Sequence, residues 1–304
     1  MSIIEQALKR FHSERQPGAE SDAKAPLGVV HEIAAQGEPT AGKTVRPARR
    51  IVHIDRTALT AAGFLPPDHK QRQIGDQFRH VKRPLLSAAL GRGREALTDG
   101  RLIMLTSSMP EEGKTFVSVN LAISMSLERE VNVVLVDADV AKPHVSRLFG
   151  IEAEPGLLEA VQDETLEIES LILPTSIPKL SVLSAGAPIE TATELLTSQR
   201  MEAVVGKLGV GDLQRVVIFD SPPLLLTSES RALAHHMGQI VLVVRAGMTP
   251  RHAVLDAIHC LDASKSIALV LNQSDNVAEA GYHYGEYGRD FERHALEQER
   301  GSLR

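Results

Sequence analysis

Six short aliphatic runs decide what this 304-residue chain can become. They are Leu102 to Leu105, Val131 to Val136, Leu180 to Leu183, Val216 to Phe219, Ile240 to Val244 and Ile267 to Leu271. Each is apolar at nearly every position rather than at every other one. A strand with that pattern keeps both faces out of water. Helical spacing fills the intervals: Phe116 to Leu127, Ala192 to Leu208, Ser228 to His236 and Arg251 to Asp262. Doubly buried strands alternating with helices predict an α/β domain, a mostly parallel sheet covered by helices on both faces. Trp is absent and aromatics are 3%, so aliphatic side chains must fill the interior.

The alternation predicts a globular domain over 100–274. Upstream, Ser2 and Glu5 have the spacing of a capping box, and Ile4, Leu8 and Phe11 share one helical face. An amphipathic helix over 1–15 follows, either docking a partner or packing on its own domain. Residues 16–50 are rich in Pro, Gly, Ala, Glu and Lys without periodicity, which predicts a flexible linker. Over 51–99, a short extended segment around Ile51, Val52 and Ile54 precedes a turn at Pro66-Pro67. A charged helix then runs over 70–83 and is ended by Pro84. Residues 275–304 are polar and charged, a mobile tail.

Directly after the run Leu102 to Leu105 comes Thr106-Ser-Ser-Met-Pro-Glu-Glu-Gly-Lys-Thr115, and then a helical pattern. From position 108 this fits the phosphate-binding loop Gly-x-x-x-x-Gly-Lys-Thr, with Ser108 in place of the first Gly. Backbone N–H groups of such a loop and of the helix that follows face phosphate oxygens. Lys114 is expected to reach the β/γ-phosphates, and Thr115 to offer its hydroxyl to Mg²⁺. Gly113 permits close backbone approach. The expected nucleotide contacts are Ser108, Met109, Pro110, Glu111, Glu112, Gly113, Lys114, Thr115 and Phe116. Two further runs end in carboxylates: Asp137 and Asp139 after Val136, and Asp220 after Phe219. Ligands of parallel sheets bind at the carboxyl ends of strands, where these acids can hold Mg²⁺ or orient a nucleophile. The architecture is therefore that of a P-loop NTPase.

All three tyrosines, Tyr282, Tyr284 and Tyr287, fall inside Gly281-Tyr-His-Tyr-Gly-Glu-Tyr-Gly288. Tyr used for packing is scattered, whereas this strip has Gly, His and Glu neighbours and cannot bury itself. With a phosphate loop roughly 165 residues upstream, the two features suggest donor and acceptor for phosphoryl transfer. The net charge of −6 gives no general attraction to nucleic acid or anionic lipid. The single Cys260 excludes an intramolecular disulfide and suits a reducing compartment. No run of 18 apolar residues and no signal-peptide core is present, so the expectation is a cytoplasmic chain that meets membrane only through a partner.

Taken together, these segments resemble the bacterial tyrosine kinase (BY-kinase) family, with closer similarity to the exosortase-associated tyrosine autokinases of exopolysaccharide systems. The resemblance is carried by 1–8, 78–86, 107–115, 136–143, 220–225 and the tyrosine strip. It implies an ATP:protein-tyrosine phosphotransferase with Walker A at 108–115, A′ at Asp137 and Asp139, and B at Asp220. Lys114, Asp137 and Asp139 would be catalytic, the aspartates as bases for a phenol whose pKa is near 10. Asp137 is the first choice of base and Asp139 the second. Thr115, Asp137 and Asp220 would surround Mg²⁺. Lys142 stands where many relatives have Arg, losing a planar fork. Glu111 stands where the family usually has Gly. The family's ring-forming helical motif is matched by Asp76, Arg79 and Lys82, along one helix face. Asn272 resembles the purine-reading Asn of related P-loop proteins. The partners implied are a second copy in a ring-like homo-oligomer and a membrane chain-length-determinant protein that activates it. The cofactors implied are ATP and Mg²⁺, and the acceptors Tyr282, Tyr284 and Tyr287 act in trans.

Two other readings compete. Min/Par-type ATPases share the domain but carry an early loop lysine, where this chain has Met109. A non-catalytic ATP-gated scaffold of an export assembly is permitted by Ser108 and Glu111, but Lys114, Thr115 and the three aspartates speak against it.

Overall fold

The computed structural model describes residues 28–31, 50–92, 97–210 and 212–274. The helix expected over 1–15 and the tyrosine tail over 275–304 lie outside the described residues. The centre is a seven-stranded sheet. Its strands are β3 (Leu102–Ser107), β4 (Asn132–Asp137), β5 (Leu173–Pro174), β6 (Leu180–Leu183), β7 (Arg215–Asp220), β8 (Gln239–Arg245) and β9 (Ser266–Asn272). The spatial order is β5-β6-β4-β7-β3-β8-β9. All pairings are parallel except the short antiparallel edge of β5 on β6.

Alternate residues of β3, β4, β6, β7 and β8 feed two cores, which is why those runs had to be apolar throughout. Edge strand β9, expected to be doubly buried, instead leaves Leu269 and Leu271 exposed, because no strand or helix among the described residues covers them at that edge. On one face Ile103, Leu105, Val133, Leu135, Ile218, Val241 and Val243 pack under α2 (Asp68–Leu90), α3 (Lys114–Ser126) and α4 (His144–Phe149). On the other, Met104, Val134, Val136, Val217, Phe219 and Leu242 pack under five further helices. These are α5 (Leu157–Gln162), α6 (Ile168–Leu171), α7 (Ala192–Leu196), α8 (Gln199–Val210) and α10 (Arg251–His259), with α9 (Ser228–His235) beside them. Helix α3 is buried on nearly all sides, wedged between sheet and α2.

Three local expectations differ from the structure. Pro84 does not end its helix: α2 runs on to Leu90 and stops at Gly91, whose φ of 65° is left-handed. A helical proline frees the carbonyl four residues back, here on exposed His80. The interruption costs about 3 kcal/mol, while burying Leu85 and Leu86 beyond it returns about 1.5–3 kcal/mol apiece. The helix read over 192–208 is broken at Thr197-Ser198 into α7 and α8. There, Met201 N donates to Ser198 Oγ at 3.3 Å, an N-cap-like contact that restarts the helix. Finally, Gly28–His31 (β1), inside the stretch expected to be a linker, pairs antiparallel with Ile51–Ile54 (β2). Its Val29-Val30 pair favours extended backbone. After β2, Asp55 caps α1 (Arg56–Ala61), accepting from Thr57 N and Ala58 N.

Candidate active site

The loop between β3 and α3 has the geometry of a phosphate cradle. Gly113 is the N-cap of α3 at φ +87°, and a Cβ there would stand 2.2 Å from Asn272 Nδ2. Only glycine fits. Glu111 also lies in left-handed space, at φ 65°. A non-glycine residue in that conformation costs about 1–2 kcal/mol. The first amides of α3 have no intrahelical acceptor and form a partial positive charge at the loop.

Not every expected contact faces a nucleotide through its side chain. Glu112 is 2% exposed and braces the loop from within. Its carboxylate accepts from Met109 N at 2.7 Å and from the Thr249 hydroxyl just past β8. Phe116 points its ring to Phe78 of α2, centroids 6.4 Å apart, so only its backbone is available to a ligand. Asn272, expected to read a purine, donates its Nδ2 to Glu112 O at 2.9 Å. The missing Cβ of Gly113 is what lets that amide approach. Met109, Pro110 and Glu111 are exposed, Gly113, Lys114 and Thr115 are half-buried, and Ser108 is buried, its Oγ without a hydrogen-bond partner among the described residues.

The sheet register gathers the carboxylates. Asp137 and Asp220 are paired neighbours on β4 and β7, and Asp220 is also paired with Leu105 of the loop-bearing strand. Asp220 Oδ2 accepts from Thr115 Oγ1 at 2.7 Å, and Oδ1 from Ser118 Oγ at 2.8 Å. Asp137 Oδ2 accepts from both Ser146 N (2.7 Å) and Ser146 Oγ (2.8 Å) at the start of α4. Asp139 Oδ1 accepts from Lys142 N at 3.1 Å. Ser118 and Ser146 were not foreseen. Ser118 lies three residues after Thr115 and so shares its helix face, a usable signal; Ser146 offered none.

Burial dominates the electrostatics. It pushes the Asp137 carboxyl up to about 8, helped by the nearby charge of Asp220. Burial likewise lifts Asp220 to about 6, against the pull of Lys114 and the Thr115 and Ser118 hydroxyls. Asp139 is raised too, again by burial, with Lys114 opposing. Crowded buried acids beside a lysine form a site that favours an added cation. Asp137 Oδ1 is buried without a hydrogen-bond partner among the described residues. Hard oxygen donors of this kind fit Mg²⁺. Among the described residues no three His, Cys, Asp or Glu side chains converge on one point. Mg²⁺ needs no such cage, since it is held by one or two carboxylates plus phosphates.

The expected oligomer contacts separate. Asp76 and Arg79 are exposed and paired to each other at 2.7 Å. Lys82 is instead 5% exposed, donating to Ser124 O at 2.6 Å and pairing with Glu128 at 2.8 Å. Its ammonium holds Glu128 below the usual carboxylate range. Lys82 therefore ties α2 to α3 inside one chain and is not presented to a neighbour.

Comparison with known proteins agrees with this geometry. Residues 100–229 match the ParA family, described as NUBPL iron-transfer P-loop NTPases. The tyrosine-protein kinase YwqD of Bacillus subtilis is 27% identical over 213 residues, covering 70% of this chain and 86% of YwqD. The tyrosine-protein kinase Etk of Escherichia coli K12 is 28% identical over 239 residues, 75% of this chain and 32% of Etk. The solved kinase domain of Escherichia coli Etk superposes with a TM-score of 0.60 at 25% identity, covering 75% of this chain and 84% of that domain. The chain spans only part of several longer relatives, 21% of the tyrosine-protein kinase ptk of Acinetobacter johnsonii for instance. In sequence and in fold, then, the chain is similar to bacterial tyrosine kinases, and its residues 100–229 are similar to a ParA-type P-loop domain.

Proposed function

We propose that this chain is an ATP-dependent protein-tyrosine kinase that phosphorylates Tyr282, Tyr284 and Tyr287 on a sister copy. The observation that carries the reading is the register pair Asp137 and Asp220 beside the loop strand, with Thr115 already tied to Asp220. The names of the relatives support the choice of acceptor residue.

In the proposed reaction, loop amides and Lys114 hold the β/γ-phosphates of ATP. The phenolic oxygen of a tail tyrosine attacks the γ-phosphorus; the new O–P bond forms as the bond to the β–γ bridging oxygen breaks, and ADP leaves. Asp139 takes the phenolic proton. It is the acid of A′ nearer the rim, at 7% exposure against 0% for Asp137. Asp137, sealed and anchored by Ser146, is assigned with Asp220 and Thr115 to holding Mg²⁺. When bound, that ion would offset charge on the transferring phosphoryl group. The working unit is assigned to 100–274, with assembly through 51–99 and the acceptor tail at 275–304.

The likeness to exosortase-associated autokinases points to control of exopolysaccharide synthesis or export. A ring-like homo-oligomer would act at the cytoplasmic face of a membrane, recruited and activated by a chain-length-determinant protein. No helix among the described residues is long and apolar enough to cross a membrane. The reading is tested by incubating the chain with Mg-ATP and mapping phosphosites by mass spectrometry. Added mass on the tail tyrosines, lost in Lys114→Met, is expected. Free phosphate with an unmodified chain would make it an ATPase instead.

A further inference from the structure

Gln273 follows β9 directly and combines two costly features. Its φ of 60° puts a non-glycine residue in left-handed space. Its side chain is buried, the residue being 4% exposed, yet neither Nε2 nor Oε1 has a hydrogen-bond partner among the described residues. A buried carboxamide without partners is rare in a folded chain. Nε2 lies 3.7 Å from where a Cβ on Gly113 would stand, so the amide abuts the phosphate loop.

The strand order gives this position a direction. The carboxylates lie on β4 and β7, to one side of the loop strand β3, whereas β8 and β9 lie to the other. A nucleotide whose terminal phosphates face Asp220 and Asp137 must extend its nucleoside end toward β8 and β9. Asn272 has committed its Nδ2 to Glu112 O. We infer that the Gln273 carboxamide hydrogen-bonds the base of the bound nucleotide, taking the part expected of Asn272. A carboxamide offers one donor face beside one acceptor face, which matches adenine, whose N6 amine is flanked by acceptor nitrogens. This rests on the nucleotide-binding reading above and adds the residue that recognises the base.

The test compares ATP with tripolyphosphate, which has phosphates and no base, on the full chain by calorimetry. Gln273→Ala should weaken ATP about tenfold, the worth of one to two hydrogen bonds, and leave tripolyphosphate within about twofold. Gln273→Glu keeps the size and loses the donor, and should weaken ATP as well; an unchanged unfolding midpoint in this variant guards against a folding defect. Equal losses for both ligands would mean the residue shapes the phosphate loop, and would overturn the inference. Unchanged ATP affinity in both variants would do the same. If the unaltered chain binds tripolyphosphate as tightly as ATP, no base contact exists, while the phosphate site stands. If it binds neither, the nucleotide reading itself fails and the inference goes with it.

Discussion

Asp137 holds a proton that an unfolded chain would release. Its carboxyl is pushed up to about 8 from an ordinary 3.8, and that of Asp220 to about 6. Between the two states' values the native chain binds more protons than the unfolded one, so stability falls as pH rises. For Asp137 this window runs from roughly 4 to 8. The thermal midpoint of the nucleotide-free protein should therefore drop between pH 5 and pH 8, and the drop should shrink in Asp137→Asn. An equal drop in that variant would show the carboxyl is not the source. The acids themselves were legible because each directly follows an apolar run. Their partners were less so. Ser146, on a helix that carries no other site residue to set its face, leaves no pattern, unlike Ser118, and the role of Asn272 depends on a glycine neighbour that admits its amide.

At the scale of elements, α2 shows where periodicity and punctuation compete. The apolar positions Ile74, Phe78, Leu85, Leu86 and Ala89 keep helical spacing straight through Pro84, and burial wins. Strands β3, β4, β6, β7 and β8 were plain in the sequence because both of their faces are covered. The aliphatic run marked edge strand β9 although Leu269 and Leu271 are exposed, and the two-residue β5 was too short to read. Helices α4 to α6 were likewise too short to display a period. The Lys82 contact belongs to the same helix. Lys82→Ala leaves Ser124 O and Glu128 without their cation, and should cost about 1–3 kcal/mol in urea unfolding. Arg79→Ala, at an exposed pair, should stay within about 0.5 kcal/mol. Equal costs would mean Lys82 is not the internal tie between α2 and α3.

On the scale of the whole molecule, the sheet carries the end of its last strand to the phosphate loop. Strand β9 ends there, with Asn272 and Gln273 against Gly113. From position 274, Tyr282 is 8 residues away, which spans at most about 28 Å when extended. That reach allows a tail to enter its own site as well as a neighbour's, and the two routes give different outcomes in a mixture. The most direct measurement mixes two full-length variants with Mg-ATP. One is Lys114→Met with its tyrosines intact; the other keeps Lys114 and has Tyr282, Tyr284 and Tyr287 replaced by Phe. Phosphate on tyrosines of the Lys114→Met chain, found by mass spectrometry, is the predicted result. A mixture in which that chain gains none, although the unaltered protein phosphorylates itself, would contradict transfer between copies. An unaltered protein that never gains phosphate on these tyrosines would contradict the kinase account as a whole.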